Sequence, residues 1–290
     1  MCHGATAHTA PGYGRLQSID QPKTERALKV AEHCNLYDRA MYYDVIFNRD
    51  VSAEVTFIRN LYKKHAGIEV RSVLDVACGP GYHARGMARA GAQAYGLDLR
   101  AEMLRFAADE SSKEGTQVTW LEADMRSFTL PKPVDVAFCM FDGLDCLLTN
   151  DNLIRHFQAV ASNLVAGGLY LIDLSHPAEV SFSHYKKFHY SAQRDGVQVD
   201  IHWATNDPHY DLATGIAHVA LELHVDDHGK KMVVKDEADE RLLFPQEITL
   251  LADLSKSLRV VGWYGDFNIE QPLDHSPKSK RMIGVLQKVG

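Results

Sequence analysis

The sequence predicts an α/β fold in which a mostly parallel sheet carries helices on both faces and a small antiparallel β insertion interrupts it late in the chain. Three observations support this. Short apolar runs alternate with helical segments of about three turns, the pattern of βαβ units. A glycine turn, Gly79-Pro80-Gly81, joins the first of these runs to a helix. After Pro177 the periodicity becomes strict alternation, which marks a sheet with one wet face.

The elements follow in order. The segment Leu36–Phe47, LYDRAMYYDVIF, is crowded with aromatic residues and Asp, and a helix is expected from about Ser52 to His65, with Val55, Ile58, Leu61 and Tyr62 on one face. Ser72–Ala77 reads as the first buried strand and Tyr82–Ala90 as the helix after it. Ala94–Leu99, Val118–Glu122, Val134–Phe141 and Gly168–Asp173 read as further strands, with helices over Ala101–Ser112 and Asp151–Leu164. The near-continuous apolar runs VLDVA and VAFCMF suit strands covered on both faces. Residues 197–203 and 218–225 then alternate, and an Asp-Asp-His-Gly turn leads to a strand near Lys231–Lys235. A helix at Gln246–Ser255 and strands at Arg259–Tyr264 and Arg281–Lys288 close the chain. The expected organisation is an N-terminal extension over 1–35, partly disordered, a main domain over 36–177 and 245–290, and a β-rich insertion over 178–244.

Composition narrows the function. The 290 residues are 46% hydrophobic and 24% charged, enough to bury a core. Thirty-eight acidic against thirty-one basic residues give a net charge of -7, which disfavours a nucleic-acid partner held through phosphates. Five cysteines with no CxxC spacing argue against a disulfide framework or structural zinc and fit a reducing compartment. The first fifteen residues lack a signal-peptide pattern, and no apolar run approaches the roughly 18 residues that span a bilayer. A soluble, cytoplasmic protein is expected, with homo-oligomerisation left open. Cys2, His3 and His8 invite a metal reading but stand in a Gly- and Pro-containing terminus of the kind that is commonly disordered. His33 and Cys34 are adjacent and make a poor chelating pair. No metal is expected.

The stretch VLDVACGPGYHARGMARAG is the informative one. Its glycines let the backbone turn tightly and let a ligand approach closely. Read alone, Gly79-x-Gly81-x-x-Ala84 also satisfies the dinucleotide fingerprint, with Asp98 near the expected distance of about 20 residues. Charge separates the two readings. Asp75, four positions before Gly79, would repel a diphosphate and attract a cationic ligand. Asp98 ends the second strand, where it can accept from both ribose hydroxyls. Asp124 follows the third strand, where it can accept from an adenine amino group. Three acids at successive strand ends converge on one crevice.

These residues resemble the class I S-adenosylmethionine-dependent methyltransferases. The family's first motif is matched by Asp75-Val-Ala77-Cys78-Gly79-Pro80-Gly81, with Ala77 where a glycine often stands, its ribose acid by Asp98, and its adenine pair by Asp124-Met125. The resemblance implies a Rossmann-like, mostly parallel seven-stranded sheet and S-adenosyl-L-methionine as cofactor. It also implies cofactor contacts from Leu99, Met103, Met140 and Phe141. The aromatic N-terminal segment and the insertion look most like small-molecule N-methyltransferases acting on glycine or amino sugars. A small polar metabolite is therefore the expected acceptor, methylated at nitrogen or oxygen. A dinucleotide-dependent oxidoreductase and a non-catalytic binding protein are the alternatives.

Methyl transfer from a sulfonium needs alignment and water exclusion, and needs a base only when the acceptor arrives protonated. Tyr37, Tyr42 and Tyr43 lie on the segment expected to close over the crevice, where an aromatic face attracts a cation. Asp142 follows the fourth strand and His176 the fifth. Catalytic roles are expected from Tyr37, Tyr43, Asp142 and His176, the last as a base near its ordinary pKa of about 6.5. His202, His218 and His224 fall on the polar side of the insertion strands and read as solvated. Trp203, Cys78 and Cys139 read as core.

Overall fold

The computed structural model describes residues 36–179 and 185–290, together with the backbone of Lys29 and Val30. Cys2, His3, His8, His33 and Cys34 lie outside the described residues, as does nearly all of the expected N-terminal extension. The chain runs through β1 (Lys29–Val30), a 3-10 turn at Leu36–Asp38, α1 (Ala40–Phe47), α2 (Ser52–Ala66), β2 (Ser72–Val76), α3 (Tyr82–Arg89), β3 (Gln93–Asp98) and α4 (Ala101–Glu114). There follow β4 (Val118–Glu122), β5 (Val134–Cys139), α5 (Asn150–Ser162) and β6 (Leu164–Ser175). The remaining elements are β7 (Phe188–Arg194), β8 (Val197–Trp203), β9 (Ile216–Asp227), β10 (Lys230–Arg241), α6 (Pro245–Ser255), β11 (Leu258–Tyr264) and β12 (Arg281–Lys288).

Seven strands form the main sheet in the order β11-β12-β6-β5-β2-β3-β4. From β4 to β6 every pairing is parallel, and β12 runs antiparallel to both of its neighbours. Successive residues of a strand face opposite sides, and this alternation builds two cores. Leu74, Val76, Ala137, Cys139, Tyr170 and Ile172 pack with Leu153 and Phe157 of α5 and Ile248 of α6. Val73, Val136, Phe138, Leu169 and Leu171 pack with Phe57, Ile58 and Leu61 of α2 and Met87 of α3. Burial on both sides is why these strands read as continuous apolar runs.

The second sheet has the order β1-β10-β9-β8-β7. Val199 stands opposite Val225 and Ile201 opposite Leu223, so the alternating residues share one dry face as the sequence predicts. His228 and Gly229, with φ of 50° and 85°, make the tight β9–β10 turn; a two-residue hairpin with both φ positive matches the twist of the strands. The dry face is covered by Leu36, Tyr42 and Val45. The aromatic N-terminal segment packs on the insertion through this face and also meets the main domain, where the Tyr82 hydroxyl donates to Asp44 and Phe47 faces Phe141. Two strands were not foreseen in the sequence: β7, all of whose residues are half-buried or exposed, and the two-residue β1.

Candidate functional site

The order of the main sheet reverses between β5 and β3, on either side of β2, and ligands of open α/β sheets bind outside the strand ends at such a reversal. The turn after β2 is built for close approach. Ala77, Gly79 and Gly81 all have positive φ (54°, 51° and 74°). A Cβ at Gly81 would collide with the indole of Trp120 on β4, whereas a Cβ at Gly79 would meet no atom within 4 Å. Gly81 is thus fixed by packing as well as by backbone angle, and the space beside Gly79 is open.

Asp98 organises this turn. Its Oδ2 accepts from the Gly79 N–H at 2.8 Å and its Oδ1 from the Arg100 N–H at 2.8 Å. Burial raises its pKa, against the pull of these donors. Asp75 is 2% exposed and accepts from the Ala84 N–H at 3.0 Å, capping α3 from below. Burial pushes its carboxyl up to about 8, with the Ala84 bond opposing the rise and the Asp98 charge adding to it. The charge assigned to Asp75 from the sequence is therefore largely neutralised near pH 7.

Asp124 lies past the end of β4, on the far side of β3. Arg126 Nε lies 2.9 Å from its Oδ1 and 3.0 Å from its Oδ2, and the Arg126 N–H donates to Oδ1 at 2.8 Å. Hydrogen bonding and ion pairing with Arg126 hold its carboxyl below the usual range. Met125 is half-buried, Leu99 is exposed, and Met103 and Met140 are buried in the apolar core. Met103 is 1% and Met140 5% exposed. The structure thus groups Asp75, Ala77, Gly79, Gly81 and Asp98 around one turn, and sets Met103 and Met140 behind its surface.

The end of β5 is strained. Phe141 and Asp142 have successive φ of 58° and 62°, a conformation that non-glycine residues hold only when their surroundings enforce it. Asp173, 1% exposed, supplies part of that enforcement: its Oδ2 accepts from the Phe141 N–H at 3.0 Å and its carbonyl from the Asp142 N–H at 3.0 Å. Arg281, the first residue of β12, bridges Asp173 Oδ1 at 2.7 Å and Asp142 Oδ2 at 3.0 Å. Asp142 Oδ1 also accepts from the Ser175 N–H at 2.5 Å. Asp142 is consequently an anchored carboxylate.

His176 is 5% exposed, and both of its ring nitrogens are engaged. Nδ1 accepts from the Ala178 N–H at 3.0 Å, which leaves the proton on Nε2, 3.0 Å from the Asp274 carbonyl and 3.1 Å from Ser279 Oγ. The base expected from the sequence has no free lone pair in this arrangement.

Aromatic rings run in sequence from the N-terminal segment to the strained turn. Tyr37 and Tyr43 centroids lie 5.9 Å apart, Tyr43 and Phe47 4.5 Å, and Phe47 and Phe141 5.8 Å. Burial raises both phenol pKa values, with the Tyr43 charge adding for Tyr37 and the Asp98 charge for Tyr43. Both hydroxyls therefore stay protonated near neutral pH. Tyr42 turns away, into the insertion core, and its hydroxyl donates to Asp227 at 3.0 Å.

Three features of the site were not singled out in the sequence. Asp44 is 2% exposed and accepts from the Tyr82 hydroxyl at 2.8 Å and from Arg194, tying α1 to the start of α3 and to β7. His83, second residue of α3, is 6% exposed and its Nε2 is an orphaned buried atom among the described residues. Asp145 and Glu240 form a carboxyl pair: burial raises both, the charges of Glu240 and Asp142 adding at Asp145 and that of Asp142 at Glu240. Tyr185 donates to Glu240, the Trp203 indole donates to the Tyr185 hydroxyl at 3.2 Å, and Tyr185 and Tyr210 rings are 5.5 Å apart. The Arg241 N–H, donating to the Asp145 carbonyl at 2.9 Å, ties β10 to the turn after β5. The first and third depend on contacts between residues far apart in the chain, and the burial of His83 is set by its surroundings in the fold.

Among the described residues no cluster suits a metal ion, and no helix is long and apolar enough to cross a membrane. The open space at Gly79, the Asp98 carboxylate beside it and the orphaned His83 nitrogen fit a polar nucleoside ligand carrying hydroxyls and charged ends. Comparison with known proteins agrees. Residues 73–168 match the family described as Methyltransferase domain. An aminosugar enzyme of Streptomyces venezuelae, dTDP-3-amino-3,4,6-trideoxy-alpha-D-glucopyranose N,N-dimethyltransferase, is 30% identical over 139 residues, 47% of this chain and 56% of the relative. A ubiquinone biosynthesis O-methyltransferase of Serratia proteamaculans is 38% identical over 82 residues, 28% of this chain and 34% of the relative. These matches span from a third to little more than half of the relatives' lengths. The structure of an S-adenosylmethionine-dependent methyltransferase from Clostridium acetobutylicum shares the fold, with a TM-score of 0.72, 18% identity, and coverage of 88% of this chain and 100% of that one.

Proposed function

We propose that this chain, residues 73–168 of which match a methyltransferase domain and whose seven-stranded sheet shares the fold of a solved S-adenosylmethionine-dependent methyltransferase, is a class I S-adenosylmethionine-dependent methyltransferase, and that the whole protein methylates an amine of a small hydroxylated metabolite such as an amino sugar. The observation that carries the cofactor half is Asp98, whose carboxylate ends β3 while fixing the glycine turn through Gly79. The acceptor half rests on the carboxyl group of residues Asp142, Asp145 and Glu240 with the rings of Tyr185 and Tyr210 beside it. Opposite charge and an aromatic face both favour an ammonium.

When bound, S-adenosylmethionine would supply an electrophilic methyl group on a sulfonium. The chain's own residues bind, orient and exclude water. Asp98 would accept from the ribose hydroxyls, Asp124 from the adenine amino group, and Asp75, His83 and the turn would face the charged aminoacyl end. Tyr37, Tyr43, Phe47 and Phe141 would wall off the reacting centre. A bound ammonium would favour release of the Asp145 or Glu240 proton to solvent, and the carboxylate so formed would receive the proton that an amine must lose before it can attack. His176 has no part in that transfer, because its lone pair is already committed.

The test is transfer of labelled methyl from S-adenosylmethionine to a panel of amino sugars and their hydroxyl-only counterparts. Label is expected on the amines, and Glu240→Gln should reduce it by about 100-fold or more, the usual range for loss of a proton acceptor. Labelling of the hydroxyl compounds alone would overturn the amine reading.

Asp75 adds a pH dependence with a definite sign. Its carboxyl is mostly protonated below about 8 in the free protein, and a bound cation would favour the ionised form. Binding should therefore release a proton, and affinity for S-adenosylhomocysteine should rise from pH 6 to 8. Calorimetry in buffers of different ionisation enthalpy counts that proton. A flat profile for the wild type, or an equal slope in Asp75→Asn, would remove Asp75 from the ligand's surroundings.

A further inference from the structure

His156 lies on α5 with none of its surface exposed, yet both ring nitrogens have polar partners. Nδ1 is 2.9 Å from the Met125 carbonyl and Nε2 is 2.6 Å from the Tyr170 hydroxyl. A carbonyl only accepts, so Nδ1 carries the proton and the bare Nε2 accepts from Tyr170. Burial pushes the ring down to about 4, against the opposing pull of the Met125 carbonyl and the Asp124 charge, and it is neutral at ordinary pH.

The Met125 carbonyl belongs to the peptide unit that joins Met125 to Arg126, and a peptide unit is rigid and planar. The N–H of that same unit donates to Asp124 Oδ1 at 2.8 Å. The imidazole therefore grips one edge of a plate whose opposite edge holds the Asp124 carboxylate. Tyr170, on β6, fixes the imidazole in turn. The chain of contacts runs from the centre of the main sheet to the acid at its rim.

We infer that His156 is a positioning residue that aims Asp124 at the amino group of adenine, making the protein selective for a 6-amino over a 6-oxo purine in its cofactor. The inference rests on the cofactor reading proposed above. A carboxylate only accepts, so it pairs with the amino group of adenine and opposes the carbonyl of hypoxanthine. A site built to pair with one hydrogen-bonding group rejects an analogue lacking it strongly, provided the pairing group cannot swing away. The Arg126 side chain holds the two carboxylate oxygens, and His156 holds the peptide unit from which that grip and the Arg126 N–H bond are made. If it only filled the core, its loss would change stability and leave the purine preference as it was.

The test compares the affinities of S-adenosylhomocysteine and S-inosylhomocysteine by calorimetry in wild type, His156→Asn and His156→Leu. Asparagine places an amide N–H where Nδ1 stands and can keep the Met125 bond; leucine cannot. Wild type and His156→Asn should prefer the adenosine compound by about ten-fold or more, and His156→Leu should lose most of that preference. An unchanged ratio in a His156→Leu protein that melts cooperatively would overturn the inference. Should that variant not fold, Tyr170→Phe frees the ring to turn, and the ratio should fall part of the way; no fall would overturn it equally. A wild type that binds neither compound refutes the cofactor reading itself, whereas one that binds both equally refutes only the aiming of Asp124.

Discussion

Asp98→Ala should bind S-adenosylhomocysteine about 10- to 150-fold more weakly than wild type, as expected when hydrogen bonds to a charged group worth about 1.5–3 kcal/mol are lost. Two losses combine. The ribose would lose its acceptor, and the Gly79 and Arg100 N–H groups would lose the carboxylate that shapes the turn. Asp98→Asn keeps one acceptor oxygen without the charge and should fall between the two. The variant should still fold, because Asp98 stands at the open end of β3 and its neighbours in the core are untouched. Calorimetry with a thermal melt alongside separates binding from folding. A normally folded Asp98→Ala protein with wild-type affinity would refute the ribose role.

The largest effect on stability is expected from Arg281→Met. The substitution leaves Asp173 buried without its cationic partner, and breaking a buried pair in this way costs about 3–5 kcal/mol. It also frees Asp142, so the positive-φ turn at Phe141–Asp142 would relax. The deficit should depend on pH. Burial holds the Asp173 carboxyl above its ordinary range even with Arg281 opposing it, so the native state keeps its proton to a higher pH than the unfolded chain does. That difference favours the native state at low pH and fades as pH rises through the native pKa. Without Arg281 the native pKa climbs further, and the variant should be weakest at neutral pH and recover as the solution is acidified. Urea unfolding at pH 7.5 and pH 5 measures this; equal deficits at both would mean that Asp173 is not the group left exposed to the loss. Arg281→Lys should recover part of the stability, because one ammonium cannot span two carboxylates as a guanidinium fork does.

The scaffold was legible in the sequence because its signals are local. Buried parallel strands write themselves as apolar runs, and VLDVA and VAFCMF became β2 and β5. The glycine turn was legible because positive φ and close approach both demand glycine, and Gly81 satisfies both demands. The insertion was legible by alternation, in β8 and β9. The strand expected near Lys231–Lys235 extends further: β10 pairs with β9 as far as Arg241, through the charged run DEADER where apolar alternation lapses. β7 alternates only over Phe188, Tyr190 and Ala192, which stand opposite Trp203, Ile201 and Val199 of β8, and that short stripe is half-buried or exposed.

The site was legible only where chemistry follows immediately on a strand. Asp98 and Asp124 are singled out in the sequence because each stands at or just past a strand end. Arg281 was not, since its partners lie 108 and 139 residues earlier. His176 misled for the opposite reason. Its place after β6 suggested a base, and nothing local shows that Ser279 and Asp274 return to occupy its ring. His156 looks like an ordinary residue in the middle of a helix until Met125 and Tyr170 are seen on either side of it.

The reversed direction of β12 has a consequence for how this protein tolerates changes in length. In the parallel strands the residues at the mouth come last, so the connections that follow those strands border the crevice. In β12 the residue at the mouth comes first: Arg281 sits opposite Ser175, while Gln287 sits opposite Leu169 deep along β6. The connection that borders the crevice here is the one before the strand, pinned by the Lys280 and Arg281 N–H groups to the Gly265 carbonyl at 2.7 and 2.9 Å. Residues inserted between 265 and 280 would pull directly on the guanidinium that joins Asp142 to Asp173. Residues added beyond Lys288 would emerge at the opposite rim, where the Val289 N–H meets the Ser257 carbonyl at 3.0 Å. For a fusion partner or a surface tether, that far rim is the place that leaves the crevice unobstructed.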